Sequence, residues 1–115
     1  MKTLTLLAST ALLAACSAEA KGPDAKNPFH CGVALSVEYG IAKSNGFSSH
    51  MKDLTPLIQW YAQEARALPE ASRTEAKSFE LMRQFQEDSA LAKGLGKACV
   101  SNAFDDPRFV AWLQG

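Results

Sequence analysis

Charge of one sign is what this 115-residue chain most plainly lacks, since 12 basic residues face 12 acidic ones with no run of either. A basic stripe is the footprint of nucleic-acid binding, and without one a nucleic-acid partner is not expected. Neutrality likewise provides no long-range steering toward anionic lipid headgroups. Alternation of apolar and polar residues over a strand's length is also missing, which removes the signal of a half-buried sheet. No apolar run reaches the roughly 20 residues that a membrane-crossing helix needs.

The motifs that would announce chemistry are just as scarce. There is no C-x-x-C, no C-x-x-C-H and no G-x-S-x-G elbow, so thiol redox chemistry, covalent haem and the common serine-hydrolase arrangement have no sequence support. Lys93-Gly94-Leu95-Gly96-Lys97 lacks the spacing of a phosphate-binding loop and the strand before it, and reads as a loosened helix. His30, Cys31, His50 and Cys99 hold the atoms for a metal site but not the close ligand pairs that zinc sites use. A cysteine nucleophile needs a base such as His30 or His50 beside a free thiolate and a group to orient it, and in an exported chain both thiols are expected to be oxidised. The carboxylates Glu64, Glu70, Glu75, Glu80 and Glu87 fall mostly on polar helix faces. No catalytic residue, metal or cofactor is therefore assigned.

What the chain does have begins at its N-terminus. Lys2 precedes an apolar stretch over 4–15, followed at once by small residues. This is the layout of a secretory signal peptide over 1–15. Leu13-Ala14-Ala15-Cys16 resembles the lipobox of bacterial lipoproteins. That resemblance covers only the precursor segment, and implies that Cys16 is acylated and becomes the new N-terminus. It further implies a membrane partner reached through lipid, a periplasm-facing location in the cell envelope and, with Ser17 rather than Asp next, sorting to the outer membrane. The rival is cleavage after Ala18-Glu19-Ala20, which releases a soluble periplasmic or secreted protein.

Once Cys16 is spent on processing, Cys31 and Cys99 remain as one pair. In an oxidising compartment a small domain joins such a pair in a disulfide. Closing a loop of roughly 70 residues adds about 4 kcal/mol in the chain-entropy account. Residues 16–28, with the lipidated cysteine at their head, are small, charged and breaker-rich and read as a flexible tether. The domain proper occupies 29–115.

Within it the apolar period is helical. Cys31, Ala34, Leu35, Ile41 and Ala42 recur at helix spacing over 29–43, and Ser44-Asn45-Gly46 stops that helix. Gly32 and Gly40 weaken it and suggest close helix crossings. Leu54, Leu57, Ile58, Tyr61, Ala65 and Leu68 mark a second helix. It starts either at Thr55-Pro56 or, with Pro56 inside, near Ser48. Ser72-Arg73-Thr74-Glu75 has capping-box form, opening a third helix whose apolar arc is Phe79, Met82 and Phe85 with Leu81 at its margin. Asp88 caps a fourth helix carrying Leu91, Leu95, Ala98 and Cys99, and Asp106-Pro107 starts a short fifth. The expected fold is all-α, a bundle of four to five short helices closed by one disulfide between the first and fourth.

For function the sequence offers residue types rather than a motif. Trp60, Phe109 and Trp112 either pack in the core or form an aromatic surface for another envelope protein. The first expectation is accordingly a non-catalytic envelope lipoprotein that binds a protein partner. The alternatives are a carrier of a small apolar ligand in an interhelical pocket lined by Leu57, Phe79, Met82 and Phe85, and an enzyme of unfamiliar type in which His30 or His50 meets a carboxylate.

Overall fold

The computed structural model describes residues 22–115; the signal-peptide and lipobox readings fall outside them. Five helices follow in order: α1 (Pro28–Ser44), α2 (Ser48–Ala65), α3 (Glu75–Glu87), α4 (Ser89–Phe104) and α5 (Pro107–Gln114), with a single 3₁₀ turn at Glu70–Ser72. No strand occurs among the described residues, and the chain is all-α.

Local chemistry fixes most of the boundaries. Asn27 caps α1 by accepting from the backbone N–H groups of Phe29 and His30 at 2.9 and 3.3 Å, and Pro28 occupies the first turn, where its missing N–H costs nothing. The helix ends in a Schellman arrangement. Phe47 N–H bonds Ala42 O at 2.9 Å and Gly46 N–H bonds Lys43 O at 3.3 Å, with Gly46 at φ +72°. A residue bearing Cβ is disfavoured in that left-handed conformation, so glycine is the fitting choice. Asp88 and Asp106 cap α4 and α5 through bonds from Leu91 N–H at 3.0 Å and Arg108 N–H at 2.9 Å.

One boundary takes the second of two expected starts, and two others depart from expectation. The second helix takes the Ser48 start and carries Pro56 inside it; Thr55 Oγ1 donates to Met51 O at 2.9 Å. The anticipated capping box at Ser72 does not form. Ser72 lies in the 3₁₀ turn with its Oγ donating to Pro69 O, and Thr74 instead accepts from Lys77 N–H at 3.2 Å. Finally, the segment read as tether to Pro28 is already fastened by Asp24. Asp24 N–H donates to His30 Nδ1 at 2.9 Å, and Asn102 Nδ2, from α4, donates to Ala25 O at 3.2 Å. Ala25 and Phe29 pack on the core.

The core gathers around α1, with α2 packed along it and α4 crossing it. Cys31, Leu35, Cys99 and Phe109 have no exposed surface, and Phe85, Leu54 and Ala103 at most 2%. Cys31 and Cys99 form the disulfide, with Cα atoms 5.6 Å apart. Gly96 faces Leu35 and Glu38, so that an added Cβ would sit 3.0 Å from Glu38 Oε1. Together, the 31–99 and 35/38–96 pairings make α1 and α4 antiparallel. Of α1's two glycines, Gly32 faces α2, where an added Cβ would stand 3.8 Å from Tyr61 Cβ, while a Cβ at Gly40 meets nothing within 4 Å; the tightest approach is at Gly96.

Two helix faces are rotated from the sequence reading. On α3 the inner pair is Leu81 and Phe85, four residues apart, with Met82 partly buried and Phe79 58% exposed. A seam four residues long per turn leaves Phe79 outside it. On α1, Ile41 is 57% exposed, because the inward stripe runs through Cys31, Ala34, Leu35 and Ala42 instead.

Candidate functional site

An open groove of about 360 Å³ lies where the N-terminal turn, α2 and the α4–α5 junction meet. Helix spacing brings Trp60, Tyr61 and Glu64 of α2 to its floor and one wall. The α4 end contributes Asn102 and Asp105, and the start of α5 contributes Asp106 and Arg108. Lys26 lies on the rim beside the fastened turn.

Arg108 organises the charge. Its Nη2 lies 2.7 Å from Glu64 Oε1 and 3.0 Å from Asp106 Oδ2, and its guanidinium carbon stands 5.3 Å from the Trp60 ring centre. Carboxylates and an aromatic face both favour the cation, and Arg108 is held protonated above the ordinary arginine range by Asp106 and Glu64. Asp106 is held below the usual carboxylate range, because the Arg108 side chain and then its backbone N–H bond the ionised form.

Tyr61 closes the floor. Its hydroxyl donates to Cys99 O at 2.5 Å; burial first, then the negative charges of Asp106 and Glu64, push the phenol up to about 12. A phenol so placed stays protonated and anchors α2 to the disulfide-bearing turn of α4. The groove thus has fixed charges and a rigid aromatic floor, suited to holding a ligand in orientation.

The three aromatic residues singled out from sequence do come together, but not as an open surface. Phe109 is fully buried and Trp60 is 6% exposed; Trp112 alone remains partly exposed. The rings of Trp60, Phe109 and Trp112 lie 5.5 to 6.0 Å apart, pair by pair. Phe109 is corrected from a contact residue to the supporting core, since it has no exposed surface and lines no groove, whereas the largely buried Trp60 keeps an edge on the groove floor and Trp112 packs beside both.

The residues proposed for an apolar ligand do not share a cavity. Leu57 and Phe85 are spent in the packed core while Phe79 is in solvent. Only Met82 lines the second groove, an open hollow of about 200 Å³ beside Gly32, Val33, Ile58 and Ala65. Of the two histidines, His50 does meet a carboxylate, with Nε2 2.5 Å from Glu38 Oε2. That pair is on the exposed surface and lines neither groove. His30 accepts from Asp24 N–H, and burial, partly opposed by the Asp24 charge, lowers its pKa. Among the described residues no group of three or more His, Cys, Asp or Glu side chains is placed to hold a metal ion.

Sequence reasoning found Trp60 and Trp112 but missed Arg108, Glu64 and Asp106 as a unit. The available signal was Asp106-Pro107-Arg108, a helix start whose first turn presents a cation; its partner Glu64 lies 44 residues away in sequence. No protein-family model, curated protein or solved structure matches the chain.

Proposed function

We propose that this chain is exported, is anchored by lipid on Cys16, and serves in the cell envelope as a non-catalytic module that binds a polypeptide partner in the Arg108 groove. The observation that carries the binding half is the convergence of Trp60, Tyr61 and Arg108 on one open hollow flanked by Trp112. Tryptophan, tyrosine and arginine are the side chains in which interface energy concentrates. A rim of ion-paired carboxylates around them matches the polar margin of a protein–protein contact.

Support for export comes from cysteine use. Cys31 and Cys99 are consumed by a fully buried disulfide, which leaves Cys16 for processing and fits an oxidising compartment. Support for a binding rather than a catalytic role comes from occupancy. Tyr61 is held by a backbone carbonyl, and Glu64 and Asp106 are held by Arg108.

Two measurements test the two halves. Radioactive fatty acid should label the wild-type chain and not Cys16→Ala, which should also fractionate away from membranes. A photo-crosslinking residue at Lys26 should give one discrete adduct in intact envelopes, lost in Arg108→Ala and Trp112→Ala. A Cys16→Ala chain that fractionates like the parent defeats the anchor, and an adduct indifferent to both groove substitutions defeats the binding site.

A further inference from the structure

We propose that His30 is a proton-operated latch on the Arg108 groove: when its ring takes up a second proton, the turn over 24–27 that walls the groove is released, and a polypeptide held near neutral pH is let go in acid. This rests on the groove reading given above. His30 lines neither groove, whereas Ala25 and Lys26, on the turn that it fastens, line the Arg108 groove. The switch thus acts on the site from outside it. A backbone N–H can only donate, so the 2.9 Å bond from Asp24 N–H makes His30 Nδ1 the bare acceptor and leaves the ring's single proton on Nε2. A second proton must go to Nδ1, where it would face that N–H and end the bond. The turn's ties through Asn102 Nδ2, which donates to Ala25 O at 3.2 Å, and through the Asn27 cap on α1 use amides, whose charge no pH change in this range alters. The His30 bond is the one that titrates.

The charges about the ring favour release. Burial, the larger influence, holds His30 below its ordinary 6.5, and the Asp24 charge opposes it only in part; one oxygen of that carboxylate already accepts from Lys26 N–H at 2.9 Å. On its own helix the neighbour is the uncharged ring of Phe29, 6.4 Å away, and α4 brings the neutral amide of Asn102 to the turn. Glu64 of α2, Asp105, Asp106, Arg108 and Lys26 gather in the groove, and the ring answers to burial and Asp24 rather than to them. Once the turn lets go, the ring meets water and regains its ordinary value. Protons therefore favour the released form between the two values, so release grows as pH drops below 6.5 and levels off under the latched value. Across that interval the groove's own Asp106, held below the usual carboxylate range, and Tyr61, pushed up to about 12, keep their charge states. Loss of one hydrogen bond of this kind is worth about fivefold in an equilibrium.

The test uses the full chain. NMR of the isotopically labelled chain in detergent micelles reads hydrogen exchange at the Asp24 amide, with the intrinsic effect of pH divided out. Its protection should fall about fivefold between about pH 7.5 and about pH 5, following the ring's own titration, and stay level in His30→Gln, whose neutral side chain takes no proton. In intact envelopes a photo-crosslinking residue at Asp105, which follows α4 and does not belong to the turn, should lose adduct about threefold over the same interval and recover it on return to neutrality. His30→Gln should lose none, and His50→Gln, whose ring lines neither groove, should behave as the parent. Asp24 protection that ignores the wild-type ring's titration overturns the latch, an outcome readable even where His30→Gln is too unstable to use. Protection that falls while the adducts of wild type and His30→Gln decline together overturns the coupling and leaves the groove reading standing. No adduct at any pH overturns the groove reading and the switch with it.

Discussion

The α1–α4 seam and helix α3 bury side chains of the same kinds, yet they are held by different means. The seam is covalently closed by Cys31–Cys99 and crossed tightly at Gly96, and the Tyr61 hydroxyl ties α2 onto it at Cys99 O. By contrast, α3 contributes only Leu81 and Phe85 to the interior, and its outer face is laced by Arg83 with Glu80 and Glu87, all more than half exposed. Exposed ion pairs of this sort add little to stability. What holds α3 is therefore its narrow apolar stripe, whereas the seam has a covalent closure as well as a close crossing. Of the site-bearing elements, α2, α4 and the N-terminal turn adjoin the seam, and α5 follows directly from α4.

This contrast can be broken or sharpened by experiment. The largest effect is expected at the staple: Cys31→Ser/Cys99→Ser should lose about 4 kcal/mol in denaturant unfolding, the chain-entropy value for a loop with a sequence separation of 68. If the double variant unfolds at the parent's midpoint, the seam owes its strength to packing instead. Next, Phe85→Ala should cost about 3 kcal/mol, since a ring with 1% exposure leaves a cavity that the surface helix only partly closes. Tyr61→Phe should cost about 1 kcal/mol through the lost bond to Cys99 O, read as a shift in midpoint without a change in slope.

Smaller still is a pH effect at the entry turn. Unfolded, His30 titrates near its ordinary 6.5, while in the folded chain burial holds it lower. The unfolded state then binds more protons between the two values, so stability falls as pH drops below 6.5 and levels off under the folded value. A doubly protonated ring also cannot accept from Asp24 N–H. Comparing unfolding midpoints of wild type and His30→Gln across that interval should show the slope in the former alone. Smallest is Phe79→Ala on the outer side of α3, expected within about 0.5 kcal/mol of the parent by thermal unfolding. A larger loss there would mean that α3 buries a different face.

Those contrasts also mark what the amino-acid order could reveal. Caps at Asp88 and Asp106, the stop at Gly46 and the cysteine pairing were legible because each depends on a few adjacent residues or on simple counting. Ser72 misled, since Pro69 three residues earlier drew its hydroxyl into a tight turn and left Thr74 to cap α3. Phe79 and Ile41 misled because period alone fixes a face only to within a residue or so, and the neighbouring helix decides the remainder. The groove was the least legible part. Trp60 and Trp112 stood out by type, but Arg108, Glu64 and the carbonyl of Ala25 meet only after α2, α5 and the N-terminal turn have docked.

The latch of Asp24 and Ala25 onto His30 and Asn102 has a mechanical meaning. Any pull on the chain ahead of Asp24 is delivered next to Cys31 and passes across the sulfur bridge into α4, whose end lines the groove. A load applied ahead of Asp24 therefore enters α1 and α4 directly and reaches the groove without crossing α3.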